Sequence, residues 1–159
     1  MTADWQRVQR FLTGGARLLD TGDWDRWLAL FATDGMYWMP VSPEQTDPLN
    51  HVSLLYDDAI LRQMRCKRFQ DRSEAGALSL QPAPRCMRMI TNLEVQTEPG
   101  KVAAQASVIF AQYAPPTVSA YYARVAWDLR EHTDSYLIQR KRVDLLNSDG
   151  PLSDILAYL

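Results

Sequence analysis

Between Leu18 and Pro40 the spacing of apolar side chains changes from a helical repeat to a strand repeat. Trp24, Trp27, Leu28 and Phe31 recur at i, i+3, i+4 and i+7, one face of an amphipathic helix that Asp23 is placed to cap. Ala32-Thr33-Asp34-Gly35 follows, and Met36-Tyr37-Trp38-Met39 then reads as a strand of large side chains, closed by Pro40, which has no N–H for a ladder. A helix with two tryptophans running into a strand with a third has an apolar face that must be covered. The pattern therefore predicts a helix folded back over a sheet built by the rest of the chain.

Upstream, Val8, Phe11, Leu12, Leu18 and Leu19 keep helical spacing from about Thr2 to Asp20, and Thr21-Gly22 ends that helix. Gly14-Gly15 inside it costs roughly 1 kcal/mol per glycine relative to alanine, which predicts offsetting packing or a close backbone. Residues 41–50 hold two prolines, an Asn, an Asp and a Ser and form a loop. His51 to Tyr56 reads either as a short strand or as the approach to a third helix. That helix starts at Asp57-Asp58, with Ile60, Leu61 and Met64 as its apolar stripe and Arg62, Arg65, Lys67 and Arg68 as a basic flank. Residues 70–84 make a long connection of the kind that serves an interface or the mouth of a site.

Beyond it the repeat is two. Arg85–Thr97 and Lys101–Tyr113 flank the hairpin signal Glu98-Pro99-Gly100; Val118–Arg130 follows Pro115-Pro116, and Tyr136–Leu146 follows His132-Thr133-Asp134-Ser135. Four consecutive long strands predict an antiparallel meander. In the third, Tyr121, Ala123, Val125, Trp127 and Leu129 form the better core face. The fourth is mixed on both sides, and Arg140-Lys141-Arg142 argues against burial of both faces. Leu152, Ile155, Leu156 and Leu159 return to helical spacing in a short tail that would dock on its own or another subunit. The expected fold is α+β: a single domain, residues 1–159, with a curved antiparallel sheet and three helices from the N-terminal half packed on one face.

Composition narrows the function. With 47% apolar residues, 159 residues suffice for one core and not comfortably for two. Seventeen basic and 19 acidic side chains give a net charge of -2, no field for nucleic acid. No apolar run of membrane-spanning length occurs and the N-terminus has no apolar leader core, so a cytoplasmic protein is expected. Cys66 and Cys86 fit neither a redox pair nor a zinc site. A Rieske centre needs two Cys and two His, and the two cysteines lack paired histidines nearby. A two-His, one-carboxylate iron would need both His51 and His132, one in a loop and the other in a hairpin turn. Phosphate-loop, GxSxG and HExxH signatures are absent. A cone of helices over a bent sheet can still hold an apolar pocket with one acid or base. The candidates are Tyr37, His51, Tyr56, Asp58 and Tyr122, each of which also has an ordinary structural explanation.

Several stretches resemble the beta (small) subunit of bacterial aromatic-ring-hydroxylating dioxygenases. They are Arg17-Leu18-Leu19-Asp20, Asp25 to Ala32, Asp34 with Tyr37-Trp38-Met39-Pro40, and Val52-Ser53-Leu54 with Tyr56-Asp57-Asp58 and Leu61. Arg85 with Thr91-Asn92, and Gln139-Arg140-Lys141 with Asn147, extend the likeness. Gly15 departs from the family's usual glutamate, and Pro84-Arg85-Cys86 from its Ser-Arg-Thr. The resemblance implies a cystatin-like cone of the nuclear-transport-factor and ketosteroid-isomerase superfamily, with no cofactor on this chain. It implies an alpha-subunit partner carrying the Rieske 2Fe-2S cluster and a mononuclear iron, and self-association as a trimer within an α3β3 hexamer. The expected role is then a non-catalytic assembly subunit, with contacts through the tryptophan helix (Trp24, Trp27), the long loop through Arg85, the basic sheet face (Arg124, Arg140, Arg142) and the tail. The alternative is a free-standing cone enzyme, an isomerase, dehydratase or hydrolase acting on a hydrophobic small molecule. A self-associating binding domain is a third reading.

Overall fold

The computed structural model describes residues 3–70, 84–152, 154, 155 and 157–159. Helix α1 (Ala3–Thr21) and the short α2 (Trp24–Leu28) precede strand β1 (Phe31–Pro40); β2 (Ser53–Asp57) and α3 (Ala59–Gln70) follow. The meander is β3 (Arg85–Glu98), β4 (Lys101–Ala114), β5 (Thr117–His132) and β6 (Ser135–Leu145). All six strands join one sheet in the order β2-β1-β6-β5-β4-β3, antiparallel except where β1 lies parallel to β6.

Amphipathic spacing explains where the helices sit. Val8, Leu12 and Leu19 of α1 are buried against the inner face of the sheet, where the helix lies along β3. Trp5 Nε1 adds a bond to the Leu93 carbonyl at 3.1 Å. A Cβ on Gly15 would stand 3.1 Å from Leu30 Cδ1, so the bare residue permits that approach, whereas Gly14 faces open space. Asp23 caps α2 as expected, accepting from the Arg26 amide.

The tryptophan helix ends sooner than its spacing suggests. Phe31 begins β1 instead of a third helical turn, and the Leu30 carbonyl already accepts from Ile138 of β6 at 2.8 Å. The register of β1 on β6 then shifts between Phe31 and Met36. A Cβ on Gly35 would come within 2.5 Å of the Ile138 carbonyl, so only glycine fits there. Further irregularities fall between Thr91 and Glu94, where Asn92 takes a φ of 54°, and between Asp128 and Leu129. Such bulges strengthen twist, which curves the sheet around the helices.

The last of them also resolves the mixed pattern of β6. Leu129 faces Ile138 but Asp128 faces Arg140, so Gln139 is extra and parity switches across it. Tyr136 and Ile138 point inward before the switch; Lys141, Val143 and Leu145 do so after it.

Two expectations are corrected. In α3 the stripe of Ile60, Leu61 and Met64 faces outward at 67%, 45% and 50% exposure, while Arg62 and Cys66 are buried. Arg62 earns its place by donating from Nη1 to the carbonyls of Gly35 (2.6 Å) and Asp57 (3.0 Å), with its guanidinium over the Phe31 ring. The tail is not helical among its described residues; Ala157, Tyr158 and Leu159 run into the core of their own chain, and Leu156 lies outside the described residues. The connection expected over 70–84 lies, from 71 to 83, outside them as well.

Candidate functional site

Two places can carry function, the interior of the cone and its outer faces. In the interior, Tyr158 and Leu159 are each 1% exposed. The Tyr158 ring stacks on Trp27 (4.8 Å between centroids) and leans on Tyr37 (4.7 Å), with Phe69 edge-on at 6.0 Å. Its hydroxyl donates to Asp57 Oδ2 at 2.6 Å, and Arg65 grips both oxygens of that carboxylate at 2.8 and 3.1 Å. Arg88 donates from Nε to the Tyr158 carbonyl at 3.1 Å and from Nη1 to Asp20 at 2.5 Å. Lys141 Nζ donates to the Leu159 main-chain oxygen, and the Leu159 amide donates to the Tyr37 hydroxyl at 3.3 Å.

Burial sets the protonation of this network, because a low-dielectric interior disfavours the charged form. It raises the Tyr158 hydroxyl well above its ordinary value, the bond to Asp57 adding to the shift, and raises Tyr37 in the same way. Lys141 is pulled down from 10.5 to about 7, first by burial and then by Arg88. Arg88 is lowered by burial, which Asp20 opposes, and Arg65 is raised by its bond to Asp57. Burial also pushes the Cys66 thiol up to about 12. The space left beside Trp27, Arg88, Trp127 and Lys141 is a cavity of about 30 Å³, the share of one water in the liquid and too little for a substrate.

The pocket foreseen for a cone enzyme is not assembled. Tyr37 is inside and Tyr56 half-buried, but His51, Asp58 and Tyr122 are exposed. Asp58 caps α3, accepting from the Leu61 amide at 2.9 Å, and the buried acid is its neighbour Asp57. Tyr122 pairs with Ile109 on the outer sheet face. His51 belongs to the loop that Arg142 holds near the end of β6, through Gln45, while His132 pairs with Ser135 at its start. The two imidazoles are therefore at opposite ends of that strand. Among the described residues no three His, Cys, Asp or Glu side chains gather as a metal site.

The surface residues divide. Trp24 and Trp27 are 8% and 2% exposed, core side chains whose helix turns its aromatic face inward, so neither presents a surface in this protomer. Arg142 is committed within the chain: it stacks on Trp38, pairs with Asp144 and donates to the carbonyls of Gln45 (2.7 Å) and Pro43 (2.9 Å), pinning the loop to the sheet. Arg140 pairs with Asp128 in the open, Arg124 is exposed, and Arg85 lies over Tyr113.

Two apolar areas do face out. One end of the outer sheet face carries the rows Met87–Ala111–Ala120 and Met89–Ile109–Tyr122, with Met87, Met89 and Tyr122 at 55%, 52% and 51% exposure. Beside them charges of both signs are interleaved in Glu94, Arg124, Asp128, Arg140 and Asp144. The other area is the outward stripe of α3, Ile60, Leu61 and Met64, continued by the exposed basic residues Lys67 and Arg68. Contiguous exposed apolar surface of this kind marks contact with another molecule.

The cone of this protein is filled by its own side chains, and two apolar areas face outward. The comparisons place it: the family model for the ring hydroxylating beta subunit matches residues 15–149, and the chain belongs to that family. It is 31% identical over 147 residues to the small subunit of 2-halobenzoate 1,2-dioxygenase from Burkholderia cepacia, covering 88% of this chain and 87% of that one. The crystal structure of the beta subunit of benzoate 1,2-dioxygenase from Burkholderia mallei superposes with a TM-score of 0.79 at 28% identity over 99% of both chains. An NTF2-like protein with a cystatin-like fold from Novosphingobium aromaticivorans shares the architecture alone, with a TM-score of 0.65 at 14% identity over 91% of this chain and 82% of that one. The relatives favour the assembly subunit over the free-standing cone enzyme.

Asp57, Arg62, Arg88, Lys141 and Tyr158 went unrecognised in the sequence as interior groups. On β3 the alternation points the wrong way for Arg88, since the apolar Met87 and Met89 on either side of it are the residues that face out. Nothing local marks Tyr158.

Proposed function

We propose that this chain, working as a single domain in the cytoplasm, is the structural subunit of a Rieske non-haem iron dioxygenase that acts on an aromatic acid. A large alpha subunit would carry the 2Fe-2S cluster and the mononuclear iron, and three copies of this chain would form the trimeric base of an α3β3 hexamer. The observation that carries the reading is the plugged cone: Tyr158 and Leu159 fill the interior, while apolar side chains occupy the outer sheet face and α3. Family membership supports the alpha-subunit partner, and the benzoate-type names of the relatives support an aromatic acid as substrate.

Charge divides the two surfaces. The outer sheet face carries both signs beside its apolar end, so one copy can complement another. The α3 stripe continues into Lys67 and Arg68, one sign only, which suits a different chain with acidic side chains. Co-expression with a large subunit of such a dioxygenase, followed by size-exclusion with light scattering, tests the proposal. The expected result is an equimolar complex with the mass of six chains. A solitary protomer that retains no large subunit overturns it.

A further inference from the structure

The loop between β1 and β2, residues 41–52, is tied down from within. Arg142 holds the carbonyls of Pro43 and Gln45. The buried Gln45 accepts from the Val41 amide at 3.2 Å and donates to the His51 carbonyl at 3.4 Å, and the Leu49 amide donates to Asp47 at 2.8 Å. So anchored, the loop holds Leu49 and Val52 in solvent, each 80% exposed. On the same loop, hydrogen bonds from the Ser42 hydroxyl and the Asn50 amide hold the Glu44 and Asp47 carboxyls below their ordinary values, so both carry charge. Neither forms an ion pair among the described residues.

The apolar end of the outer sheet face has the converse makeup. Its rows Met87–Ala111–Ala120 and Met89–Ile109–Tyr122 are bracketed by two rows that each carry an arginine, Arg85–Tyr113–Val118 and Thr91–Ser107–Arg124. Arg124 faces Asp144 across the ladder, but Arg142 grips both oxygens of that carboxylate, and Arg124 forms no ion pair among the described residues. Arg85 rests on the Tyr113 ring. The sheet thus offers apolar side chains between cations, and the loop offers apolar side chains beside anions. Two loops brought together, or two sheet ends, would gather like charges; loop against sheet pairs unlike charges and covers apolar side chains on both. We propose that copies of this chain associate head to tail, the Leu49 and Val52 loop of one copy seated on the apolar end of the outer sheet face of the next, between Arg85 and Arg124. A head-to-tail contact uses a different patch on each side and closes into a ring when its rotation allows. The trimeric base proposed above needs such a contact; this one rests on that reading and names the residues that make it. A loop already ordered by Gln45 and Arg142 loses little freedom on seating.

Cross-linking reads the contact directly. The full chain, co-expressed with a large subunit of such a dioxygenase, carries Leu49→Cys, Tyr122→Cys or both, and a short bismaleimide joins thiols that lie close. The double variant should give covalent dimers and trimers of this chain on a denaturing gel. Each single variant should give none beyond the wild type, which reports any reaction of Cys86. Joining in either single variant brings like patches together and overturns the proposal. So does an unjoined double variant in a complex that sedimentation shows to hold several copies. A complex with one copy of this chain overturns the trimeric base, and this contact with it. In the same complex Leu49→Asp and Arg124→Glu, both at exposed positions, should each weaken association between copies about tenfold and leave pairing with the large subunit intact. Wild-type association in both overturns the head-to-tail contact while leaving the assembly role standing.

Discussion

Inside an otherwise apolar core this protein buries a cluster of polar side chains, and on its outside it exposes a set of apolar ones. Inside, Asp57, Arg62, Arg88, Lys141, Tyr37 and Tyr158 lie among aromatic rings. Outside, Ile60, Met64, Met87 and Met89 stand in solvent. Burying charge is unfavourable unless every group is paired, and here nearly every polar atom has a partner supplied by another element. The interior network thus joins elements distant in sequence, tying Asp57 to Tyr158 and Asp20 to Arg88. Among the described residues the exposed apolar rows are left without such ties.

The largest consequence belongs to Asp57. Its carboxylate is 2% exposed and serves Arg65 and Tyr158 together. Asp57→Ala leaves a guanidinium and a buried hydroxyl without an acceptor, a change that costs about 3–5 kcal/mol when one member of a buried pair is removed. Urea unfolding followed by tryptophan fluorescence should show that loss; a drop under 1 kcal/mol would mean that the network is dispensable.

Lys141 gives the next effect, read as a slope. Its ammonium titrates near 7 in the fold and near 10.5 when unfolded. Between those values the unfolded chain binds the extra proton, so stability rises with pH in that window. It falls as pH drops from 10.5 toward 7 and is unaffected by this group below that. Cys66 and the buried tyrosines act in the opposite sense above about pH 9, because their folded forms hold protons that the unfolded chain releases. Denaturation midpoints from pH 7 to 8.5 should therefore climb more steeply in the wild type than in Lys141→Met, with the variant the more stable at pH 7. Identical slopes would show that the amine is solvated.

Asp58, one residue from Asp57, is the control. It caps α3 from an exposed position, so Asp58→Ala should cost about 1 kcal/mol by the same urea unfolding. Its sequence context hardly differs from that of Asp57, and the pair shows what was legible. Patterning placed the elements: β5 buries Tyr121, Ala123, Val125, Trp127 and Leu129 as its alternation says. The meander hairpins also lie where Glu98-Pro99-Gly100 and Pro115-Pro116 put them. What patterning could not supply was the partner of each face. A long arginine such as Arg62 can be buried when carbonyls and a ring receive it, so its helix rotates and leaves Ile60 and Met64 outside. The parity of β6 depends on one bulge residue, Gln139, whose identity carries no sign of it. Tyr158 enters the core because of groups spread from Trp27 to Lys141, and no local window contains them.

The smallest effect on folding should accompany the largest effect on assembly, and this separates the two faces most sharply. Met64 and Met89 are 50% and 52% exposed, so Met64→Asp and Met89→Asp should each leave the melting curve within about 0.5 kcal/mol of wild type. In a dry contact the same carboxylate is desolvated without a partner, and association should weaken by at least about tenfold. Charge predicts which contact each one breaks. Met89 lies in the two-signed sheet face, so its aspartate should break the contact between copies of this chain and leave a one-to-one pair with the large subunit. Met64 precedes Lys67 and Arg68 on α3, so its aspartate should release the large subunit and leave the copies associated. Sedimentation of the two co-expressed variants distinguishes these outcomes. A crossed result would exchange the roles of the surfaces, and no loss in either would mean that both methionines lie outside the contacts, leaving the outward rows unexplained by assembly.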